Sequence, residues 1–540
     1  MSPVTWRRFG ASVAALAVAA SLATVSSPAQ AATPSALADG SSWLTSQLTG
    51  GLVHNPNYGG FDDYGLSADI ALALNAVGGN ATAVGQIVDA LHDNESNYTT
   101  NAAYGYPDDI YAGSTAKALV LSQLAGGTGD ASLVSQLEAR VSATAPIAGR
   151  IEDGIDASDP YGADYANVIG QAYAVAGLEK AGSAEAGDAL SFLLEQQCSE
   201  GYFRLSFTAD KTAADQTCDG GIATGASPAD PDVTSTAILE LLPLADDNDD
   251  IADALAKAKD WLSARQHADG SFSGGTSTDS PNANSTGLAG WALGELGDTD
   301  AAAAAAQWIR IHQVQPLNGC ATKLDGDAGA IAYDTAALTA GRKTGITDAV
   351  QDQWRRAASQ ALPVLQWLPA SAKTPKLTAP TGYVKAGSKV TVRATGGVSG
   401  SALCLGVGSR RNLVTAGADG SAQTVVTLPG GTANRAASLT DGTTTRTATV
   451  KVLGKKTFKV KASKRVKRGK KATVKVSGLA PHERFTLRVG KKVVKHGTAR
   501  ANGTFKTKVK VGKKVHKVKI KVTGQFGKIR KGAWTVKVVR

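Results

Sequence analysis

Two periods of apolar residues divide this chain. Up to about residue 368 the spacing is helical: Ile251, Leu255, Ala258 and Leu262 fall three or four apart, on one face. Segments near 35–49, 81–96, 130–145, 185–198, 251–267 and 300–314 carry long apolar residues in this way. Each is followed by a second helical segment, near 63–78, 109–125, 164–182, 231–245, 283–297 and 328–342. The second set is rich in small residues, such as Ala68, Ala71 and Ala73, or Thr286, Gly287, Gly290 and Gly294. Glycine inside a helix costs roughly 1 kcal/mol against alanine. Its abundance here predicts inner helices that approach closely around an axis, with the first set outside them. A final helix over about 347–367 is predicted to close the ring.

Beyond a linker at 369–380, which holds Pro375 and Pro380, the period becomes two. Lys389-Val390-Thr391-Val392-Arg393 alternates, as do 507–511 and 518–522. Two all-β modules are predicted, 376–453 and 456–540. They read as copies: Val384-Lys385-Ala386-Gly387-Ser388-Lys389 is matched by Val466-Lys467-Arg468-Gly469-Lys470-Lys471. Asp419-Gly420 is matched by Asn502-Gly503, each a hairpin-turn signal.

The helical part also repeats. Trp261-Leu262, Gln266, Asp269-Gly270 and Phe272 recur in spacing as Phe192-Leu193, Gln197, Glu200-Gly201 and Phe203. Trp308-Ile309 with Gln313 repeats the first half, and Trp43-Leu44 begins it again. Long-period self-similarity signals a repeat architecture. This pattern resembles the prenyltransferase and squalene-cyclase repeat, over roughly residues 35–368. The resemblance implies an α6–α6 (α/α) toroid whose aromatic and Gln residues brace neighbouring repeats and whose central cavity takes the ligand. The β modules resemble bacterial immunoglobulin-like sandwiches. The fold class expected is therefore multidomain α + β, a toroid of six helical hairpins at 35–368 followed by two such sandwiches.

Charge sharpens the division. Residues 1–370 carry a formal charge of −26 and residues 371–540 carry +37, so the two parts differ in their partners. Residues 451–540 hold one acid, Glu483. Lys517, Lys519 and Lys521 alternate with Val518, Ile520 and Val522, which puts lysine on one strand face. With Lys467, Arg468, Lys470 and Lys471 they form a candidate polyanion-binding surface for a cell-wall polymer, an anionic lipid surface or an acidic polysaccharide. A solvated face that blocks edge aggregation is the plainer alternative. The lack of a reader motif and of interleaved aromatics argues against nucleic acid.

Residues 1–31 read as a signal peptide: Arg7 and Arg8, an apolar stretch from Ala11 to Val25, then Ala29-Gln30-Ala31 for cleavage. No later apolar run is long enough to span a membrane. A secreted protein, retained at the wall or surface, is expected. Of its cysteines, Cys198 and Cys218 flank one polar loop and are expected to pair. Cys320 with Cys404 would tie the toroid to the next module, and two free thiols are the alternative.

Candidate chemistry gathers where inner helices begin: Asp63, Tyr64, Asp109, Tyr111, Asp164, Tyr165, Asp232, Asn284, Tyr333 and Asp334. Parallel inner helices would bring these to one mouth, as ligand-binding groups for a small molecule or glycan. Helix capping is the competing reading for each acid. The resemblance also implies a comparison with class II terpene cyclases, which protonate an alkene from Asp-x-Asp-Asp. Asp247-Asn248-Asp249-Asp250 fits the letters but falls between hairpins, as a polar turn. Asp230-Pro231-Asp232-Val233 stands at the expected place with the last Asp replaced, leaving Asp232 as a weak catalytic acid candidate. No zinc-ligand spacing joins His54, His92, His267 or His312 to a Cys, and neither a metal nor a cofactor is expected. The favoured reading is a ligand-binding toroid carried by a surface-attaching basic module. Its alternatives are a diverged cyclase-like or glycan-active enzyme, a binder built like the cobalamin carriers, and a self-associating surface protein.

Overall fold

The computed structural model describes residues 34–223, 227–275, 278–369, 374–442 and 444–540. The segment 1–31 expected to be a signal peptide, and residues 370–373 of the expected linker, lie outside them. Among the described residues the helices are α1 (Pro34–Ser46), α2 (Tyr64–Val77), α3 (Ala81–Asp93), α4 (Glu95–Thr99), α5 (Ala112–Ser122), α6 (Ala131–Glu138) and α7 (Val168–Ala181). They continue with α8 (Ala186–Glu195), α9 (Pro231–Leu241), α10 (Asp249–Ser263), α11 (Ala283–Glu295), α12 (Thr299–His312), α13 (Thr335–Thr344) and α14 (Gln351–Ala361). None is long and apolar enough to cross a membrane.

Six helices form a closed inner ring: α2, α5, α7, α9, α11 and α14 each pack on the next, and α14 packs on α2. Small residues permit this. At Gly170 a Cβ would stand 2.9 Å from the Gly113 Cα of the neighbouring helix, and at Gly287 it would stand 2.4 Å from the Ala361 Cα. An outer helix backs each inner one: α3 on α2, α6 on α5, α8 on α7, α10 on α9, α12 on α11 and α1 on α14.

This arrangement corrects two expectations. The hairpins run inner-to-outer, because the short connections 78–80, 182–185 and 296–298 follow inner helices, so α1 pairs with the last inner helix and closes the ring. The sixth inner helix is α14, not the segment 328–342. Residues 330–332 are held extended against 312–314 by Val314 N–H to Ala330 O (2.7 Å) and Ala332 N–H to His312 O (3.1 Å). Helix α13 starts only after Asp334, and its Gly341 packs on Trp354.

The repeat motif works as a brace between outer helices. Gln197 Nε2 donates to Gly201 O (2.9 Å) and to Ala254 O of α10 (2.8 Å). Gln266 Nε2 donates to Gly270 O (3.1 Å) and Ala301 O of α12 (2.9 Å). Gln313 Nε2 donates to Gly329 O (3.2 Å) and Ala36 O of α1 (2.9 Å), joining the last outer helix to the first. The associated glycines have positive φ, and a Cβ at Gly270 or Gly329 would meet Ala304 O at 2.4 Å or Asp39 O at 2.1 Å.

The strand-rich region holds two units of matching topology. In the first, a sheet ordered 410–415, 402–407, 434–440, 445–453, 384–385 faces one ordered 422–427, 389–395, 376–378. In the second, 492–498, 484–489, 517–524, 527–539 and 465–467 face 504–510, 471–477 and 459–462. The duplicated segments align here too: 384–385 pairs parallel with 452–453, and 465–467 pairs parallel with 537–539. The Asp419-Gly420 and Asn502-Gly503 turns form with φ of 71° and 70°. They are not hairpins, since each carries the chain from one sheet to the other. Both disulfides form: Cys198–Cys218 (Cα–Cα 4.9 Å), and Cys320–Cys404 (Cα–Cα 5.6 Å), which ties the helical region to the first β unit. Arg411 Nη1 donates to Asn318 O (3.1 Å) beside the second.

Candidate functional site

On the inner helices most residues are fully buried, yet one row on each keeps partial exposure. The rows are Gly65, Asp69 and Leu72 on α2; Gly113, Lys117 and Val120 on α5; Ile169, Tyr173 and Ala176 on α7. They continue as Asp232, Thr236, Leu239 and Glu240 on α9; Asn284, Leu288 and Trp291 on α11; Arg356 and Gln360 on α14. Spacings of three and four put each row on one helix face. With inner neighbours on both sides and an outer helix behind, that face turns to the axis of the ring. The rows therefore line a lumen. Its first level mixes Asp232, Asn284 and Arg356 with Gly65, Gly113 and Ile169, and the second, about 6 Å further along the helices, is mainly polar. The next level is apolar, with Leu72, Val120, Ala176, Leu239 and Trp291, apart from Glu240.

The second level holds a network that the sequence did not reveal. Lys117 Nζ is paired with Asp69, and it lies 5.6 Å from the Tyr173 ring centroid. The side chains of Lys117 and Asp69 keep 15% and 22% exposure, so the lumen reaches them. Burial works against the ammonium, but Asp69, Tyr173 and Tyr98 outweigh it and raise the Lys117 pKa. Burial pushes the Tyr98 hydroxyl up to about 12 and raises that of Tyr173. Burial also pushes Glu240 up to about 8, against the pull of Lys117, so this carboxyl keeps its proton at neutral pH.

At the mouth, Asp230 caps α9 by accepting from Asp232 N–H (2.8 Å), with Pro231 in the first turn. Asp232 is thereby left to face the lumen. Burial and the neighbouring Asp230 push it up to about 7, and a hydrogen bond from Ser285 acts the other way. Its Oδ1 is buried with no hydrogen-bond partner, and so is Oδ1 of Asn284 on the adjacent helix. Tyr333 completes this side: burial, then Asp232 and Asp334, raise its hydroxyl.

The remaining mouth candidates do other work. Asp63 caps α2 through Leu66 N–H (2.9 Å) and pairs with Arg356 of α14 (2.5 Å), closing the ring at its rim. Tyr64 packs near Tyr98, ring centroids 6.2 Å apart. Asp109 is fully buried and accepts from Asp156 N–H (2.6 Å) and Asn101 Nδ2 (3.3 Å), holding a loop. Asp164 is another loop latch, bound by Arg150 (2.9 Å), Lys211 (2.9 Å) and Asp153 N–H (3.0 Å). Tyr111 stands at the N-cap of α5 without a side-chain cap bond, and Tyr165 is 63% exposed. Asp334 caps α13 through Ala337 N–H (2.7 Å). The expected ring of ten thus reduces to Asp232, Asn284 and Tyr333, with the Asp63–Arg356 pair on the next helices of the ring, α14 and α2. The literal Asp247-Asn248-Asp249-Asp250 forms a helix start, with Asn248 Oδ1 accepting from Asp250 N–H (3.0 Å).

The second β unit shows how its charge is arranged. Glu483 is buried in a bidentate pair with Arg530 (2.6 and 2.7 Å), which also donates to Gly454 O (2.9 Å). The acid is thus withdrawn from the surface. Lys517, Lys519 and Lys521 are exposed, as are Lys467, Arg468, Lys470 and Lys471. On the other sheet Lys461, Lys475 and Lys506 stand in register across three strands, with Lys471 opposite Lys510.

No family model matches the chain, and no curated protein matches it. Among solved structures, a protein from Actinoplanes is 18% identical with a TM-score of 0.41, over 62% of this chain and 98% of that one. The type II terpene cyclase MstE from Scytonema is 14% identical with a TM-score of 0.42, over 61% and 96%. A glycosidase is 15% identical with a TM-score of 0.36, over 62% and 97%.

Proposed function

We propose that the helical ring is an α6–α6 toroid that binds a polar small molecule or glycan in its lumen, and that two immunoglobulin-like modules follow it. The observation that carries this reading is the pair of buried, unpartnered oxygens, Asp232 Oδ1 and Asn284 Oδ1, beside the Tyr333 hydroxyl. Both are acceptors, and an unpaired buried acceptor costs about 1–3 kcal/mol. A ligand presenting hydroxyl or amine donors would recover that cost, while its less polar part would rest against Leu72, Val120, Leu239 and Trp291. In the same reading residues 1–31 direct export, and the basic terminal module holds the protein to an anionic wall polymer. Two disulfides accord with an oxidising compartment.

Native mass spectrometry of the full protein from its own host tests the lumen. The wild type is expected to carry a reproducible extra mass, lost in the double variant Asp232→Ala/Asn284→Ala. A clean ligand-free mass for the wild type under gentle conditions would count against a tightly held ligand.

A second reading rests on Asp232 alone. A carboxyl still half-protonated near pH 7 and facing a lumen is equipped to deliver a proton. In that case Asp232→Asn keeps ligand binding and abolishes product formation. Loss of binding without any turnover in the wild type favours the binder.

A further inference from the structure

Three junctions between outer helices are closed by Gln197, Gln266 and Gln313, each four residues beyond a fully buried aliphatic residue: Leu193, Leu262 and Ile309. Between α3 and α6 the same place, four residues beyond buried Leu91, is taken by Glu95. A carboxylate cannot donate to the next helix as the amide does. Glu95 instead accepts from Gln136 Nε2 of α6 at 3.3 Å.

Two more ligating groups converge on it. His92 is in the last turn of α3, and Asp130 is the N-cap of α6. Asp130 Oδ1 is engaged by the backbone N–H and hydroxyl of Ser132, both at 2.8 Å. Its Oδ2 is turned to His92 Nδ1 at 3.6 Å. That separation is too long for a hydrogen bond. It is close to the spacing of two ligands on one tetrahedral ion, about 3.3 Å for bonds of about 2.0–2.1 Å. One ligand atom from each of His92, Glu95 and Asp130 lies within 4.8 Å of the others.

We propose that His92, Glu95 and Asp130 bind a zinc-type divalent transition-metal ion, which joins α3 to α6 at a junction where no glutamine does so. The imidazole nitrogen favours such an ion over magnesium or calcium, which take oxygen ligands. His92 is 65% exposed at its side chain, so water can complete the coordination. The ion would also relieve the repulsion between two neighbouring carboxylates.

The test uses the full protein, stripped of metal and titrated with zinc. The wild type is expected to take up one equivalent, measured by elemental analysis after desalting, and to gain thermal stability. His92→Ala should lose that equivalent. Glu95→Gln should lose it too, while its amide restores the donor used at other junctions, so its metal-free melting temperature stays at or above that of the wild type. No retained zinc in the wild type overturns the proposal. So does undiminished uptake in either variant; a melting temperature of Glu95→Gln at or above that of the wild type shows that its lost equivalent is not due to misfolding.

Discussion

A proton held at a buried carboxyl makes stability depend on pH, and Glu240 is the clearest case in this protein. Burial pushes it up to about 8 in the fold, from an ordinary value of 4.5. The native state therefore binds more protons than the unfolded state between those values, and stability falls as pH rises through that window. Glu240→Gln should match the wild type near pH 4, gain on it progressively above pH 4.5, and hold a level advantage above about pH 8. The advantage is on the order of a few kcal/mol, because each tenfold difference in proton affinity between the two states is worth about 1.4 kcal/mol. Urea unfolding at several pH values reads it, and a constant difference across the range would place the carboxyl in contact with solvent. At this scale the sequence was partly legible. Asp232 was visible as the acid one residue past a Pro that opens a helix. Lys117, Asp69, Tyr173 and Glu240 were not, because each lies mid-helix among residues that pattern as core. The available signal was the charge itself: Lys117 sits between buried Ala116 and Ala118, where a lone ammonium needs a partner from another helix. Asp109 and Asp164 had the right residue type but the wrong neighbours, since Asn101, Arg150 and Lys211 reach them through loops whose course no local pattern encodes.

Among the elements, the glutamine braces carry the closure of the ring. Gln313 supplies the amide that joins α12 to α1, with Ala36 O and Gly329 O as acceptors, and both bonds are buried. Gln313→Leu removes the donor and leaves the Gly329 carbonyl unpaired, while Ala36 O keeps its helical bond, a loss of about 1–3 kcal/mol. Equilibrium denaturation checks this, and a change below about 0.5 kcal/mol, within the range of ordinary surface substitutions, would mean that apolar packing of α1 on α14 closes the ring unaided. The repeat spacing made these glutamines legible, because an outer helix, its glutamine and its glycine follow one another in the chain. The sixth inner helix was less so. Its small-residue content resembles that of 328–342, and the choice between them depends on residues 330–332 being held extended against 312–314, a pairing across an insertion. Likewise Asp419-Gly420 and Asn502-Gly503 specify turns through φ, while the sheet that each following strand joins is set by the opposing apolar faces.

For the whole molecule, the separation of charge ends in a conflict that the fold tolerates. Lys475 stands directly opposite Lys461 on one side and Lys506 on the other, all exposed. Like charges directly opposite one another across strands destabilise a sheet. A solvated face meant to deter aggregation needs no such registration, since lysine alternating with threonine would serve. An anionic polymer laid across the strands would offset the repulsion, with binding weakened by salt. Lys475→Glu separates the two readings, because it acts oppositely on two measurements. It should raise the thermal stability of the free protein, by placing a carboxylate between two ammonium groups. It should also lower the salt concentration that elutes the protein from an immobilised polyphosphate. Deleting residues 456–540 should abolish retention, since the remainder is acidic overall. If Lys475→Glu leaves elution unchanged while stabilising the fold, this sheet face is not where the polymer lies, and the exposed Lys517, Lys519 and Lys521 of the opposite sheet become the surface to vary.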